Sequence, residues 1–186
     1  MPLSVRERGE TVATIRWIHV RLMEIIASWV PTTPEMEVKL LFGAHVWDVA
    51  QHADALGKRT FELRMPLQHS LPPREPYQCL INGLAKVTDT AQRLGCFYAG
   101  ALPALSARYR RYLDRTDSLL DEPTVRILEH IGREQLRMIA EFQALLGQLP
   151  DLVLEDREPI ETFLAREVAI EHYVAPGAEG TAAGRA

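Results

Sequence analysis

The sequence predicts an all-α protein, and three observations carry this prediction. Apolar residues recur at helical spacing over most of the 186 residues, runs of alternating β-branched residues are missing, and no Asn-Gly hairpin separates such runs. A content of 47% hydrophobic and 25% charged residues is typical of a folded globular chain. We therefore expect one helical domain over residues 1–174.

Apolar stripes and prolines delimit the first two predicted helices. Helix one covers about residues 10–30 and ends before Pro31, because proline cannot continue a helix. Thr33 is the predicted N-cap of helix two, and Glu37 is placed to complete a capping box. Helix two then covers about residues 34–64. The apolar face of helix one consists of Ile15, Ile18, Leu22, Ile25, Ile26 and Trp29.

A proline-rich segment separates these helices from the second half of the chain. Residues 65–76 contain four prolines and predict a crossover loop. Helix three follows over about residues 77–117. We expect it in two pieces, because Gly95, Gly100 and Pro103 should kink or break it.

Two more helices and a tail complete the predicted layout. Asp121 and Pro123 begin helix four, which ends near Gly147. A short fifth helix is predicted over about residues 159–174. Residues 175–186 lack large apolar side chains, so we expect a disordered tail.

Charge and cysteine content bear on location and partners. The net charge of −4 gives no reason to expect nucleic acid or an anionic membrane as partner. Cys79 and Cys96 lie 17 residues apart on predicted helix three, too far apart to form a disulfide. The first ten residues lack the apolar region of a signal peptide, and no apolar stretch predicts a membrane span. We therefore expect a cytoplasmic protein in a reducing compartment.

Two stretches of the sequence, residues 44–64 and 121–135, resemble the ferritin-like superfamily. The resemblance implies an up-down four-helix bundle with a crossover loop and a short fifth helix. In the metal-binding members of that superfamily, helices one and three each supply a Glu. Helices two and four each supply a Glu-x-x-His pair, and the six side chains bind two metal ions.

The chain departs from that pattern on every helix. On helix two the matching pair is Asp48 and Gln51, and on helix four it is Glu134 and Arg137, so both histidine ligands are replaced. Helix one offers only Glu24, which the helical angle turns towards solvent, and helix three offers no glutamate. We expect a degenerate site without a di-metal centre and without a cofactor.

Three histidines are expected to point inward instead, with two carboxylates near them. The candidate site residues are His19, His45, Asp48, His52 and Glu134. The simpler interpretation is that the histidines are buried and hydrogen-bonded to carboxylates, backbone carbonyls or Tyr98. Asp48 lies one turn from both His45 and His52, so we expect it to be their partner.

A metal-binding interpretation of the same residues stays open. His45 and His52 are about 10.5 Å apart along the helix axis, whereas a metal–nitrogen bond measures about 2.0–2.1 Å, so they cannot share one ion. Asp48 with one of them, completed by His19 or Glu134, could hold a single iron or manganese ion.

Two other charged groups are interpreted as solvated surfaces. Arg108, Arg110, Arg111 and Arg115 alternate with Tyr109, Tyr112 and acidic residues, which is typical of an exposed helix face. Glu167, Glu171 and His172 are similarly interpreted as part of a surface amphipathic helix.

The sequence leaves two classes of function open. The favoured hypothesis is a metal-free binding or interaction module for a partner chain, a second copy of itself or a small apolar ligand. The alternative is an enzyme: a metal-dependent oxidase or oxygenase, or a cofactor-independent catalyst with His45, Asp48 and His52 as catalytic candidates. A heme-oxygenase-like helical topology is a further alternative for the fold.

Overall fold

The structure is a computed structural model that describes residues 3–150, 152–154 and 156–175. The all-α prediction is confirmed, because these residues form helices, turns and loops and no strand. The helices are α1 (Val5–Trp29), α2 (Met36–Glu62), α3 (Glu75–Leu84), α4 (Thr90–Leu94), α5 (Leu102–Leu113), α6 (Glu122–Leu146) and α7 (Glu158–Ala169). A 3₁₀ turn, Val30–Thr32, follows α1, and a π-helical segment, Gly95–Ala101, joins α4 to α5.

The start of each of the first two helices differs from the prediction. Helix α1 begins earlier, because Ser4 and Glu7 form a capping box there. Helix α2 begins after Glu35, without a side-chain cap. The predicted Thr33–Glu37 capping box was wrong, because the Thr33 hydroxyl donates to the carbonyl of Trp29 instead.

Predicted helix three is in two pieces, as expected, but the break lies near residues 85–89 and not at Gly95 to Pro103. Asp89 caps α4 through a 2.9 Å hydrogen bond from the Gln92 amide. The residues from Gly95 to Ala101 stay helical in the wider π form. The wide turn lies directly before Pro103, where a proline ring would clash with the carbonyl four residues earlier in an α-helix. The segments α4, π and α5 therefore continue one another.

The interior is apolar and aromatic between α1, α2, the π segment and α6. The rings of Phe42 and Phe142 are each nearly parallel to that of Tyr98, with centroids 6.4 and 4.8 Å away, and the Trp29 ring centroid lies 5.6 Å from that of Phe42. All four rings are buried. Since these rings come from four segments that are distant in sequence, they hold the helices around one core.

Helix α7 covers the π segment and buries a charged pair that the sequence analysis placed on the surface. Arg108 and Glu167 form an ion pair in which both side chains are 2% exposed. The Arg108 guanidinium lies 4.7 Å from the Tyr77 ring centroid and 4.5 Å from that of Tyr173. The prediction of a solvated face was therefore wrong for Arg108 and Glu167, and also for Tyr109 and Tyr112, which are buried.

Several further expectations have definite outcomes. Cys79 is exposed on α3 and Cys96 is buried in the π segment, so the two do not share a helix, and neither forms a disulfide. None of the helices in the described parts of the chain is long and apolar enough to cross a bilayer. Apart from Ala175, the predicted tail over residues 175–186 lies outside the described residues. The ferritin-like bundle topology stays a prediction.

Candidate functional site

Polar side chains from every long helical segment meet inside the protein. They form two groups, which we call the His45 cluster and the His52 cluster. The His45 cluster consists of His45, Asp48, Tyr98, Arg137 and Glu141. The His52 cluster consists of His19, His52, Tyr109 and Glu134.

In the His45 cluster, both ring nitrogens of a fully buried histidine are satisfied. His45 Nδ1 lies 2.6 Å from the Tyr98 hydroxyl, and His45 Nε2 lies 2.8 Å from Glu141 Oε2. The hydrogen bond between Glu141 and His45 lowers the pKa of Glu141, and a lowered pKa favours the ionised carboxylate. A carboxylate can only accept, so Nε2 carries the proton, and the Tyr98 hydroxyl donates to Nδ1.

Arg137 lies at the solvent-facing edge of this cluster and neutralises the carboxylates around it. Its Nη2 donates to Asp48 Oδ2 at 2.8 Å, and its Nη1 donates to Glu141 Oε1 at 2.9 Å. Glu134 Oε1 lies 3.8 Å from Nη2. The hydrogen bonds to Asp48 and Glu141 raise the pKa of Arg137 further. A permanent cation thus occupies the space between three carboxylates.

In the His52 cluster, two buried histidines lie side by side. His52 Nε2 is 2.7 Å from Glu134 Oε2, and His19 Nε2 is 2.6 Å from the Tyr109 hydroxyl. The rings of His19 and His52 are perpendicular, with centroids 5.3 Å apart. Within the described part of the chain, neither Nδ1 atom has a hydrogen-bond partner.

Burial keeps these histidines in the neutral form. Desolvation lowers the pKa of His19 well below its ordinary value, and the neighbouring His52 lowers it further. Desolvation also lowers the pKa of His52, although its hydrogen bond to Glu134 acts in the opposite direction. The Tyr109 hydroxyl can donate to His19 Nε2, and the proton of neutral His19 then lies on Nδ1. Each ring is therefore hydrogen-bonded through Nε2 and has an unpartnered Nδ1 in the described part of the chain.

Two residues of the His52 cluster, His52 and Tyr109, each line a cleft along α6. A cleft of about 420 Å³ between α2 and α6 has His52 in its wall. A second cleft of about 440 Å³ lies between α5 and α6, and we call it the α5–α6 cleft. Its lining residues are Ser106, Tyr109, Arg110, Leu113, Leu128, Glu129, Gly132, Arg133 and Leu136. Both volumes fall in the range of about 300–1,000 Å³ that is usual for small-molecule sites.

The structure buries His19, His45 and His52 and leaves Asp48 and Glu134 partly exposed, and Tyr98 is a partner of His45 as the sequence suggested. The predictions that His45 and His52 are buried and hydrogen-bonded are confirmed. The expectation that Asp48 bonds one of these rings was wrong, because its carboxylate accepts from Arg137. The histidine partners on α6 are Glu141 and Glu134, which come from the facing helix and not from one turn away on α2.

Sequence reasoning did not single out Glu141 or assign Tyr109 its role. A signal for Glu141 exists, because it lies seven residues after Glu134 and four after Arg137, on one face of α6. Tyr109 lies among arginines in the sequence, a pattern that is typical of an exposed helix face. Its bond to His19 spans 90 residues of sequence, which no local pattern encodes.

Metal coordination by these residues stays a prediction. In the parts of the chain that the structure describes, no three His, Cys, Asp or Glu side chains are arranged so that they could hold a metal ion. His19, His45, Asp48, His52 and Glu134 are instead divided between the two clusters. Comparisons with protein-family models, with curated proteins and with solved structures give no match for this chain.

Proposed function

We propose that this protein is a metal-free binding protein of the ferritin-like helical type that holds a small apolar ligand in the α5–α6 cleft. The sequence leaves three occupants open: a partner chain, a second copy and a small ligand. The observation that favours the small ligand is the cleft itself, which is walled largely by the leucines Leu113, Leu128 and Leu136. A concave apolar site with a few polar groups is the usual form of such sites.

The polar interior supports the metal-free part of the proposal. Arg137 neutralises Asp48 and Glu141, and Glu134 is bonded to His52. A guanidinium at this point repels a divalent cation and competes for its ligands. Elemental analysis of protein purified without a chelator is the direct test, and stoichiometric iron or manganese would contradict this part.

The ligand-binding part is testable with a neutral fluorescent probe, N-phenyl-1-naphthylamine. Gly132 lies in the wall of the α5–α6 cleft, and a Cβ atom there would meet no atom within 4 Å. Gly132→Leu should therefore fill the cleft without disturbing the fold. We expect the wild-type protein to bind one probe per chain and Gly132→Leu to bind none.

The matched control is Gly43→Leu, because a Cβ at exposed Gly43 also meets open space but lies on α2, away from the cleft. This variant should bind the probe like the wild-type protein. Equal binding by Gly132→Leu and the wild-type protein would contradict the proposed site.

A second candidate function, acid–base catalysis without a cofactor, is favoured by one observation. Tyr109 is a lining residue of the cleft, and its hydroxyl is bonded to neutral His19, whose ring centroid lies 5.3 Å from that of His52. In this candidate, Tyr109 passes its proton to His19 Nε2 and takes one from a water molecule whose oxygen attacks an ester carbonyl carbon. The carbon–oxygen bond to the alcohol then breaks, and the proton held on His19 returns through Tyr109 to the leaving alcohol. Hydrolysis of p-nitrophenyl octanoate tests this function. Turnover that His19→Gln does not remove, or no turnover at all, would contradict it.

A further inference from the structure

The α5–α6 cleft has a charged rim, which we define by its lining residues Arg110, Glu129 and Arg133, with one arginine on each of its two helices. Arg110 lies on α5 and Arg133 lies on α6, and both are exposed residues that line the cleft. Neither forms an ion pair with another residue in the described ranges. Their guanidinium groups are therefore available to a ligand.

The charge of the rim opposes the charge of the whole chain. Glu129 is the one acidic residue among those that line the cleft, so two cations and one anion give the rim a net charge of +1. The chain as a whole carries −4. A single negative charge on the ligand would complement this rim.

The floor of the cleft offers little to a polar head group. The Ser106 hydroxyl donates to Gln135 Oε1 at 2.7 Å, and the Tyr109 hydroxyl is bonded to His19. Leucine side chains provide much of the remaining wall. A head group would leave these hydroxyls in their bonds and would bind at the rim, while the apolar part of the ligand fills the floor.

We propose that the ligand of the α5–α6 cleft is a carboxylate with a short apolar body, held between Arg110 and Arg133 at its head and by the leucine wall along its length. Ser106 and Leu113 are seven residues apart on α5, which corresponds to about 10 Å along the helix axis. An alkyl chain of medium length or a single aromatic group fits that span. This inference rests on the proposed function, since it names the class of ligand for the same cleft.

Displacement of N-phenyl-1-naphthylamine by two ligands with the same chain separates the head group from the body. Octanoate and 1-octanol share the apolar part and differ in charge. We expect octanoate to displace the probe at a concentration about two- to fivefold lower than 1-octanol, which is the size of effect expected for an exposed ion pair. A higher salt concentration should weaken the binding of octanoate and leave the binding of 1-octanol unchanged.

Three variants sharpen the test. Arg110→Gln and Arg133→Gln should each weaken octanoate about two- to fivefold without affecting 1-octanol. Glu129→Gln should strengthen the binding of octanoate, because it removes a carboxylate that competes with the ligand for the two arginines. Arg126→Gln is the control, because Arg126 lies on the same helix but borders the α2–α6 cleft, where it pairs with Glu122.

The outcomes distinguish the two proposals. If 1-octanol and octanoate displace the probe equally and the arginine variants behave like the wild-type protein, the carboxylate inference is wrong and the apolar site stands. If the probe does not bind and neither ligand binds in calorimetry, both the inference and the proposed function are wrong.

Discussion

His45 and Asp48 illustrate how differently two polar residues on one helix are held. His45 is fully buried and has a fixed partner at each nitrogen. Asp48 is partly exposed and bonds to Arg137, a side chain that is 45% exposed. Loss of a hydrogen-bond partner therefore lowers the free energy of unfolding more at His45 than at Asp48. Water can replace the missing partner at partly exposed Asp48 but not at buried His45.

Tyr98→Phe should lower the free energy of unfolding by about 1–3 kcal/mol. The substitution keeps the aromatic stack with Phe142 but removes the hydroxyl that donates to His45 Nδ1. The buried nitrogen then has lost its donor. Urea denaturation should show a lower midpoint with an unchanged slope. A midpoint equal to that of the wild-type protein would contradict the assigned hydrogen bond.

Asp48→Ala should cost less than Tyr98→Phe, at most about 1 kcal/mol. Arg137 keeps its bond to Glu141, and its guanidinium is open to water. Asp48 bonds neither His45 nor His52, so its removal leaves no buried histidine without a partner. The same urea measurement tests this ranking, and a loss larger than that of Tyr98→Phe would contradict it. Added ferrous, manganous or zinc ions should leave the midpoint of the wild-type protein unchanged.

At the scale of the elements, the existence of the long helices could be predicted, and some of their ends could not. The stripe that contains Ile18, Leu22 and Ile26 is buried as predicted. The predicted start of α2 was wrong because Thr33 does not cap this helix. Its hydroxyl donates to the Trp29 carbonyl and accepts a hydrogen bond from Arg93. The sequence did not predict the π segment, because glycines and a proline such as Pro103 are typical of a helix break. Tertiary packing decides such ends.

Gly95 in the π segment lies in close contact with α7 and with the segment before it. A Cβ atom at Gly95 would lie 2.7 Å from Ile160 Cδ1 and 3.0 Å from a Leu154 methyl carbon. The missing side chain therefore lets α7 and the segment before it approach closely. We expect Gly95→Ala to destabilise the protein by about 1–3 kcal/mol, the usual cost of overpacking.

Gly43→Ala is the matched control for Gly95→Ala. The exposed helical Gly43 has open space around it, so alanine should raise the free energy of unfolding by about 0.5–1 kcal/mol. The two substitutions change the composition identically and should shift the melting temperature in opposite directions. Equal shifts would mean that α7 does not pack tightly on the π segment.

At the scale of the whole molecule, the sequence identified the interior histidines but not the pairs they form. Helical angles place His45 and His52 on the inner face of α2, because that argument is local. Which carboxylate reaches each ring depends on how α6 lies against α2, and these partners are 82 and 96 residues away in sequence. The burial of Arg108 against Glu167 depends in the same way on how α7 packs against α5, 59 residues away in sequence.

The stability of the whole protein should fall between pH 7.5 and pH 5.5. Burial lowers the pKa of His19, His45 and His52 below their ordinary value of 6.5. In the unfolded chain these histidines bind protons at about pH 6.5, whereas in the folded protein they stay neutral to lower pH. The unfolded state therefore binds more protons in this window, and acid favours unfolding. Stability is fully present above the unfolded pKa and is lost as the pH falls below it.

The three histidines set the steepness of this pH dependence. Each neutral buried histidine adds a slope of up to about 1.4 kcal/mol per pH unit, so the three together add up to about 4 kcal/mol per pH unit. Glu141 and Asp121, whose pKa values are lowered in the folded protein, add a second loss only below about pH 4.5. Urea midpoints measured from pH 7.5 to 5.5 therefore report the histidines. His52→Gln should reduce the slope by about one third. A midpoint independent of pH in this window would mean that the interior histidines are not held neutral.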